Sequence, residues 1–226
     1  MPRPEIICHM VTSLDGRLLP DRWPVCQESL ASLYDGVAER FGADGWIVGR
    51  KTMEHYIATG PCSTMPEAQP RADIVANAKG RAIGICFDRR GRLRPESGEV
   101  DGDHLVLVLS ERVSAEHADD LAARGVSVFF AGPDGEDIAG VLPRIAEAFG
   151  ARRLLLEGGG QLNGAFLAAD LIDETSTLIL PVIDGKSDVP AIYDTKADAK
   201  ALHLDFISAE DLDDGTVWLR HRVKRA

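Results

Sequence analysis

The chain is short of cysteine, of positive charge and of long apolar runs. Its four cysteines, Cys8, Cys26, Cys62 and Cys86, lie far apart and form no Cys-x-x-Cys pair. Several sit in or beside apolar stretches, where a free thiol behaves as a small hydrophobe, and a reducing cytoplasm is the expected setting. Lysine and arginine total 25 against 36 aspartates and glutamates, a net charge of −11. That balance excludes a general nucleic-acid binder, which needs a basic footprint, and disfavours an anionic membrane surface. It leaves room for an anionic ligand in a local basic pocket. No apolar run approaches a membrane span and no signal-peptide pattern follows Met1, so neither insertion nor export is expected. There is no Gly/Ser linker, low-complexity tract or internal repeat, and a single domain over 1–226 is expected.

Several chemistries are missing as well. His9, His55, His104, His117, His203 and His221 are scattered without metal-ligand spacing, and no His-Glu-x-x-His is present, so no metal is expected. There is no Gly-x-Ser-x-Gly elbow. Pro61-Cys62 is not continued into a zinc-deaminase signature. A Rossmann fingerprint fails because Asn163 stands where the third glycine belongs, and a Walker loop fails because Leu180 stands where the first must be.

What is present is a series of strand-length apolar runs at 6–11, 46–48, 83–87, 105–109, 126–130, 154–156 and 178–182. Most are continuous rather than alternating, which suits strands covered on both faces. Helical stripes fall between them: Leu30, Leu33, Tyr34, Val37 and Phe41; Ile138, Val141, Leu142, Ile145 and Phe149; Leu162, Phe166 and 167–171. Alternating strands and helices predict an α/β fold with a mixed, mostly parallel sheet and helices on both faces. The segments 202–207 and 216–223, around an acidic turn at 211–215, predict a C-terminal antiparallel hairpin. The longest structureless stretch is 59–72, either bordering a site or a solvated excursion.

Four local features carry chemistry. Arg153-Leu154-Leu155-Leu156-Glu157-Gly158-Gly159-Gly160-Gln161-Leu162-Asn163-Gly164 reads strand, glycine turn, helix. Such a turn aims backbone N–H groups and a helix dipole at a phosphate; a tight turn with no ligand is the alternative. Val48-Gly49-Arg50-Lys51-Thr52 takes another strand through glycine into a helix and adds basic residues, which suit a dinucleotide phosphate or are simply solvated. Ser110-Glu111-Arg112 after a strand offers a hydroxyl and a guanidinium for a 2′-phosphate, or an ordinary cap. Thr12-Ser13-Leu14-Asp15-Gly16-Arg17 places a carboxylate at a strand end, to orient a substrate or to make an Asp-Gly turn.

Taken in order, these pieces resemble one family. Ser13-Leu14-Asp15-Gly16-Arg17, Ile47-Val48-Gly49-x-x-Thr52, Phe87-Asp88-x-x-Gly91-Arg92-Leu93, Glu157-Gly158-Gly159 with Leu162-x-Gly164-Ala165-Phe166-Leu167, Leu171-Ile172-Asp173-Glu174 and Pro181-x-x-x-Gly185 are similar to the reductase domain of riboflavin biosynthesis, within the dihydrofolate reductase-like superfamily. The resemblance implies a dihydrofolate reductase-like three-layer fold and NADPH-dependent hydride transfer to the opened ribose of a pyrimidine ribosylamine phosphate, as in a 5-amino-6-(5-phosphoribosylamino)uracil reductase. It implies that Glu157 and Asp15 face substrate and nicotinamide. It further implies that Thr12, Gly49, Thr52 and the turn Gly159, Gly160, Gln161, Leu162 and Asn163 hold the cofactor, to which the local readings add the basic Arg50 and Lys51 and the hydroxyl of Ser110. A homodimer is implied too. Two departures stand out: His9 occupies a position where relatives often carry lysine, and a substrate-binding Asp-Pro…Leu-Thr-x-Arg signature is not found in 59–72, although Arg71 is available for a phosphate. Reduction of another small substrate (a pterin, imine or carbonyl) and a non-catalytic nucleotide-binding role are the alternatives.

Overall fold

The structure is a computed structural model and describes residues 3–65, 67–195 and 201–225. In chain order the elements are β1 (Glu5–Ser13), α1 (Gln27–Glu39), β2 (Gly45–Gly49), α2 (Arg50–Met53), β3 (Ile83–Phe87), β4 (Glu99–Val100), β5 (Asp103–Leu109), α3 (Ala115–Ala123), β6 (Ser127–Phe130), α4 (Ile138–Phe149), β7 (Arg153–Leu156), α5 (Gly160–Ala168), β8 (Glu174–Leu180), β9 (Leu204–Asp211) and β10 (Val217–Val223). The predicted α/β fold with mostly parallel pairing is borne out. So is the antiparallel hairpin at the end of the chain, β9 against β10. The chain divides into two compact units, one of residues 44–154 with the residues before 5, the other of residues 5–43 and 155 onward.

In the first unit β2 pairs with β3, β3 with β5 and β5 with β6, all parallel. The free edge of β5 is shared: β4 runs antiparallel to its first residues and β6 parallel to the rest. All five residues of β3 are buried, as expected of a strand covered on both faces. Val48, Met53, Cys86, Leu107, Leu121 and Val128 belong to its core. The long stretch at 59–72, Pro66 lying outside the described residues, has no helix and no extended strand but is pinned. Thr59 bridges Leu93 and Thr64 bridges Val113, and just past the stretch Ile74 bridges Val128. The Arg94 guanidinium adds bonds to the Pro61 carbonyl at 2.8 Å and the Ser63 hydroxyl at 2.9 Å. Buried Asp88 accepts from the Leu93 N–H at 2.7 Å, which closes the turn that carries Arg94.

Two elements of this unit escape the sequence pattern. Helix α3 buries only His117, Ala118 and Leu121, too little large apolar surface to make a stripe. Strand β4 has two residues.

In the second unit β1 and β8 are parallel, and β10 joins β8 and β9 antiparallel to both. Strand β8 begins earlier than the apolar run at 178–182 suggests. Its polar half is admitted because Glu174 and Ser176 have side-chain partners. The Glu174 carboxylate takes the Arg220 guanidinium at 2.7 Å. The Ser176 hydroxyl joins a chain of fixed direction. Trp218 Nε1–H can only donate, and it donates to Ser176 Oγ at 2.7 Å. The Tyr34 carbonyl, 3.4 Å from His9 Nε2, can only accept, so the neutral imidazole carries its proton on Nε2. His9 Nδ1 is then the acceptor, and the Ser176 hydroxyl donates to it at 2.9 Å. Helix α5 stops short of the predicted 171 because Asp170 adopts a positive φ of 54°.

His9 is fully buried, and burial holds its pKa down at about 4 from the ordinary 6.5. The neutral form is thus built in. Its contribution is complete above about pH 6.5 and is lost as pH falls towards 4. Wild type should lose about 2.5 kcal/mol between pH 7.5 and 4.5 that a His9→Gln variant does not lose, read by urea denaturation at each pH. The same pH dependence in both proteins would place the acid sensitivity elsewhere.

Candidate functional site

The second unit carries the glycine turn. β7 ends at Leu156 and Glu157 follows, half-buried. Gly158 has a φ of 97°, a left-handed conformation that suits glycine, and the Gly158–Gly159 peptide is cis. Gly159 caps α5 with no side-chain hydrogen bond, and the space where its Cβ would stand is open. The Leu162 and Asn163 N–H groups close back on the Gly159 carbonyl. Gln161 is exposed and Leu162 half-buried. A helix that begins on an uncapped, open glycine presents its dipole and first N–H groups outward, the usual construction of an anion site.

The other side of α5 is sealed. A Cβ on Gly160 would lie 2.3 Å from the Ala191 carbonyl, and one on Gly164 would lie 2.2 Å from the Asp194 carbonyl. Both glycines exist so that the segment 191–194 can cross the helix at backbone distance. Asp194 N–H donates to the Gly160 carbonyl at 2.9 Å, and Asn163 Nδ2 donates to the Ile192 carbonyl at 2.9 Å. Asn163 is fully buried, so its side chain faces this strap.

Thr12 and Asp15 also lie in this unit. Thr12 is buried, and its hydroxyl faces the Ser13 and Arg17 carbonyls, each at 3.1 Å. The Asp15 carboxylate accepts from the Asp184 N–H at 2.9 Å, the Gly185 N–H at 3.0 Å and the Ser13 hydroxyl at 2.8 Å. Those hydrogen bonds, the Asp184 N–H foremost, lower its pKa to about 2. The Asp-Gly turn is present, and its carboxylate clamps a second turn at 184–185.

The first unit carries the remaining candidates at the carboxyl ends of its parallel strands, the usual ligand edge of an α/β sheet. Gly49 ends β2 and starts the four-residue α2. Arg50 is ion-paired with Glu54 one turn on, Lys51 is exposed and Thr52 half-buried. Ser110, directly after β5, is buried and its carbonyl accepts from the Val113 N–H. Sequence reasoning gave less weight to Arg71. Both its terminal guanidinium nitrogens are buried without a hydrogen-bond partner, with the group 5.8 Å from the centre of the Phe130 ring at the end of β6. A lone arginine in a long loop was the only signal for it. Among the described residues no group of three His, Cys, Asp or Glu could hold a metal, and no helix is long and apolar enough to cross a membrane.

Comparison with known proteins finds that the model of the RibD C-terminal domain matches residues 4–218. The chain is 34% identical over 221 residues to the 2,5-diamino-6-ribosylamino-4(3H)-pyrimidinone 5′-phosphate reductase of Methanothermobacter thermautotrophicus, covering 93% of this chain and 96% of that one. It is 27% identical over 201 residues to the protein of the same name from Aquifex aeolicus, covering 85% and 83%. A crystal structure of a pyrimidine reductase-like protein from Corynebacterium diphtheriae superposes with a TM-score of 0.69 at 17% identity, over 99% of this chain and 93% of that one, a likeness of fold.

The close crossing at α5 gives a direct test. Gly164→Ala puts a methyl group against the Asp194 backbone, which cannot give way as a side chain would. Overpacking of this kind costs about 1–3 kcal/mol, read as a lowered urea midpoint, with faster proteolysis near 191–194. Unchanged stability and unchanged cleavage would show that the strap is not packed there.

Proposed function

The chain belongs to the RibD C-terminal domain family, and from that premise we propose that it reduces 2,5-diamino-6-ribosylamino-4(3H)-pyrimidinone 5′-phosphate with NADPH as the hydride donor. It is a reductase of riboflavin biosynthesis. The substrate is assigned from the relatives whose lengths this chain spans, which carry that name. The cytoplasm, where its free thiols stay reduced, is the proposed setting.

The observation that carries the cofactor assignment is the uncapped start of α5 on the open Gly159. Two pyrophosphate charges suit that helix end. The buried guanidinium of Arg71 has no partner and cannot shed its charge, so an anion there would satisfy it. These residues therefore fit a phosphate-bearing ligand pair. The turn from Gly159 to Asn163 would hold the pyrophosphate through its backbone, and Thr12 of the same unit would contact the cofactor; in the first unit, cofactor-binding roles are proposed for Gly49, Arg50, Lys51, Thr52 and Ser110. Arg71 would take a phosphate.

When bound, the nicotinamide supplies the hydride; the chain supplies position and charge. Glu157 and Asp15 would face the reacting carbon of the opened ribose. Asp15 stays ionised across neutral pH, and its carboxylate fixes the 184–185 turn. Glu157 would orient the imine and stabilise positive charge as it develops.

We also propose a homodimer through β9, the end strand of the second unit's β1-β8-β10-β9 order. Leu204 and Phe206 on it are 39% and 66% exposed, an apolar edge of the kind that pairs or aggregates unless covered. Light scattering should give twice the 24.4 kDa chain mass, and a monomer at micromolar concentration would exclude this.

Titration of the protein with NADPH and NADH, followed by nicotinamide fluorescence and thermal shift, should show stabilisation by binding and a preference for NADPH. Folded protein that binds neither removes the cofactor assignment. Turnover is then tested with the diaminopyrimidinone phosphate beside its deaminated uracil counterpart. Glu157→Gln should lower kcat by about 10²-fold or more while changing the NADPH Kd by less than about threefold. Equal losses in both would make Glu157 a support of the glycine turn.

A further inference from the structure

Residues 73–76 run antiparallel along β6 in the first unit. Ile74 and Val128 exchange both backbone hydrogen bonds, each at 2.8 Å, and the Ala76 N–H donates to the Ser127 hydroxyl at 2.9 Å. At the other end the Asp73 carboxylate accepts from the Phe130 N–H at 3.1 Å and from the Arg144 guanidinium. Followed backwards from Ile74, this pairing brings Arg71 out at the carboxyl end of β6. Its guanidinium lies there 5.8 Å from the centre of the Phe130 ring. Ahead of Arg71 the chain crosses the end of β5. The Gln69 N–H donates to the Glu111 carbonyl at 3.0 Å, and the Met65 N–H to the Arg112 carbonyl at 2.6 Å.

The cations at this edge differ in how they are held. Arg144 is paired with Asp73, Arg112 with Asp134 and Arg89 with Glu136. Arg112, the guanidinium that the sequence offers beside Ser110, is thus taken up by a carboxylate. Both terminal nitrogens of Arg71 are buried and find no hydrogen-bond partner among the described residues. A guanidinium keeps its charge throughout the working pH range, and a buried charge without a partner destabilises the fold that contains it. An arginine with a purely structural role would be paired, as its three neighbours are. The forked donors of a guanidinium match two oxygens of a phosphate. A phosphate monoester carries more charge than an internal pyrophosphate link, and so compensates more.

We propose that Arg71 anchors a phosphate monoester at the carboxyl end of β6, and that its unpaired charge makes the free protein less stable. The inference rests on the reading above, in which Arg71 takes a phosphate, and adds the kind of phosphate and the energetic consequence. Two monoesters belong to the proposed reaction: the adenosine 2′-phosphate of NADPH and the 5′-phosphate of the ribosylaminopyrimidine. Both have the chemistry that Arg71 answers. The guanidinium nitrogens are covered, so the anion enters as the stretch 67–70, which has neither helix nor strand, gives way. Relief of the buried charge then adds to the affinity. The side chain is kept for binding, and stability is lowered by it.

The test compares wild type with Arg71→Met in phosphate-free buffer. Removing the charge while keeping an unbranched stem should raise Tm by about 3 °C. Wild type should be stabilised by adenosine 2′-monophosphate or by ribose 5-phosphate at equal ionic strength. Arg71→Met should bind that monoester at least about tenfold more weakly. A response lost for the adenosine compound assigns the site to the cofactor, and one lost for the ribose compound assigns it to the substrate. A variant less stable than wild type makes Arg71 a structural cation and overturns the proposal. A wild type that responds to neither monoester, or a variant that responds as wild type does, also overturns it. Wild type that responds to a monoester but binds neither NADPH nor NADH would keep this anion site and remove the cofactor assignment instead. Should Arg71→Met yield no soluble protein, trypsin acting on wild type decides. A saturating monoester should slow cleavage after Arg71 more than cleavage after the exposed Lys79. Equal slowing at the two sites, or none, overturns the proposal.

Discussion

The direction of one hydrogen-bond chain constrains much of the second unit. Trp218 can only donate and the Tyr34 carbonyl can only accept, so the neutral His9 gives its one proton to Tyr34 and takes one from Ser176, which in turn accepts from Trp218. This leaves the imidazole with a single workable tautomer. The chain crosses three strands, β10, β8 and β1, and ends on the backbone of α1 at Tyr34. Each group has one role, and reversing any of them leaves a buried donor or acceptor unsatisfied, which costs more than the bond itself contributes. The helix that carries Tyr34 is thereby held to β1 by two bonds of opposite sense, from the imidazole to the Tyr34 carbonyl and from the phenol to the His9 carbonyl.

The first unit is organised differently. Its core is continuous apolar packing across parallel strands, and its polar order is concentrated in the loops at their carboxyl ends. Asp88 closes the turn after β3, and Arg94 in that turn ties down the long excursion through Pro61 and Ser63. A stretch without regular structure is thus fixed by side-chain donors to its carbonyls.

The strands were readable because most are continuous apolar runs; β3 falls on the predicted 83–87 to the residue. Strand β8 was truncated in the reading because Glu174 to Thr177 look like loop, and only the three-dimensional partners of Glu174 and Ser176 explain why a strand tolerates them. Helix α3 was invisible because alanine and histidine bury it. The glycine turn was legible from Glu157-Gly158-Gly159, but two of its glycines serve another purpose. Gly160 and Gly164 answer to the backbone of the segment 191–194, some thirty residues away, and no local pattern could separate that use from ligand approach. Tyr34 looked like one apolar tooth of a helix stripe. Its hydroxyl end, which donates to the His9 carbonyl, depends on a contact that local periodicity does not encode.

The placement of the four thiols has a practical consequence. Each unit holds one cysteine inside and one outside: Cys8 buried and Cys26 exposed in one, Cys86 buried and Cys62 exposed in the other. Thiolate, not thiol, is the alkylated species, and burial raises the pKa of both interior groups. In the native protein a maleimide pulse therefore modifies two positions and spares two. Modification of Cys8 or Cys86 then requires that its own surroundings open. Mass spectrometry of the tryptic peptides would time the breathing of each unit separately, with no introduced probe.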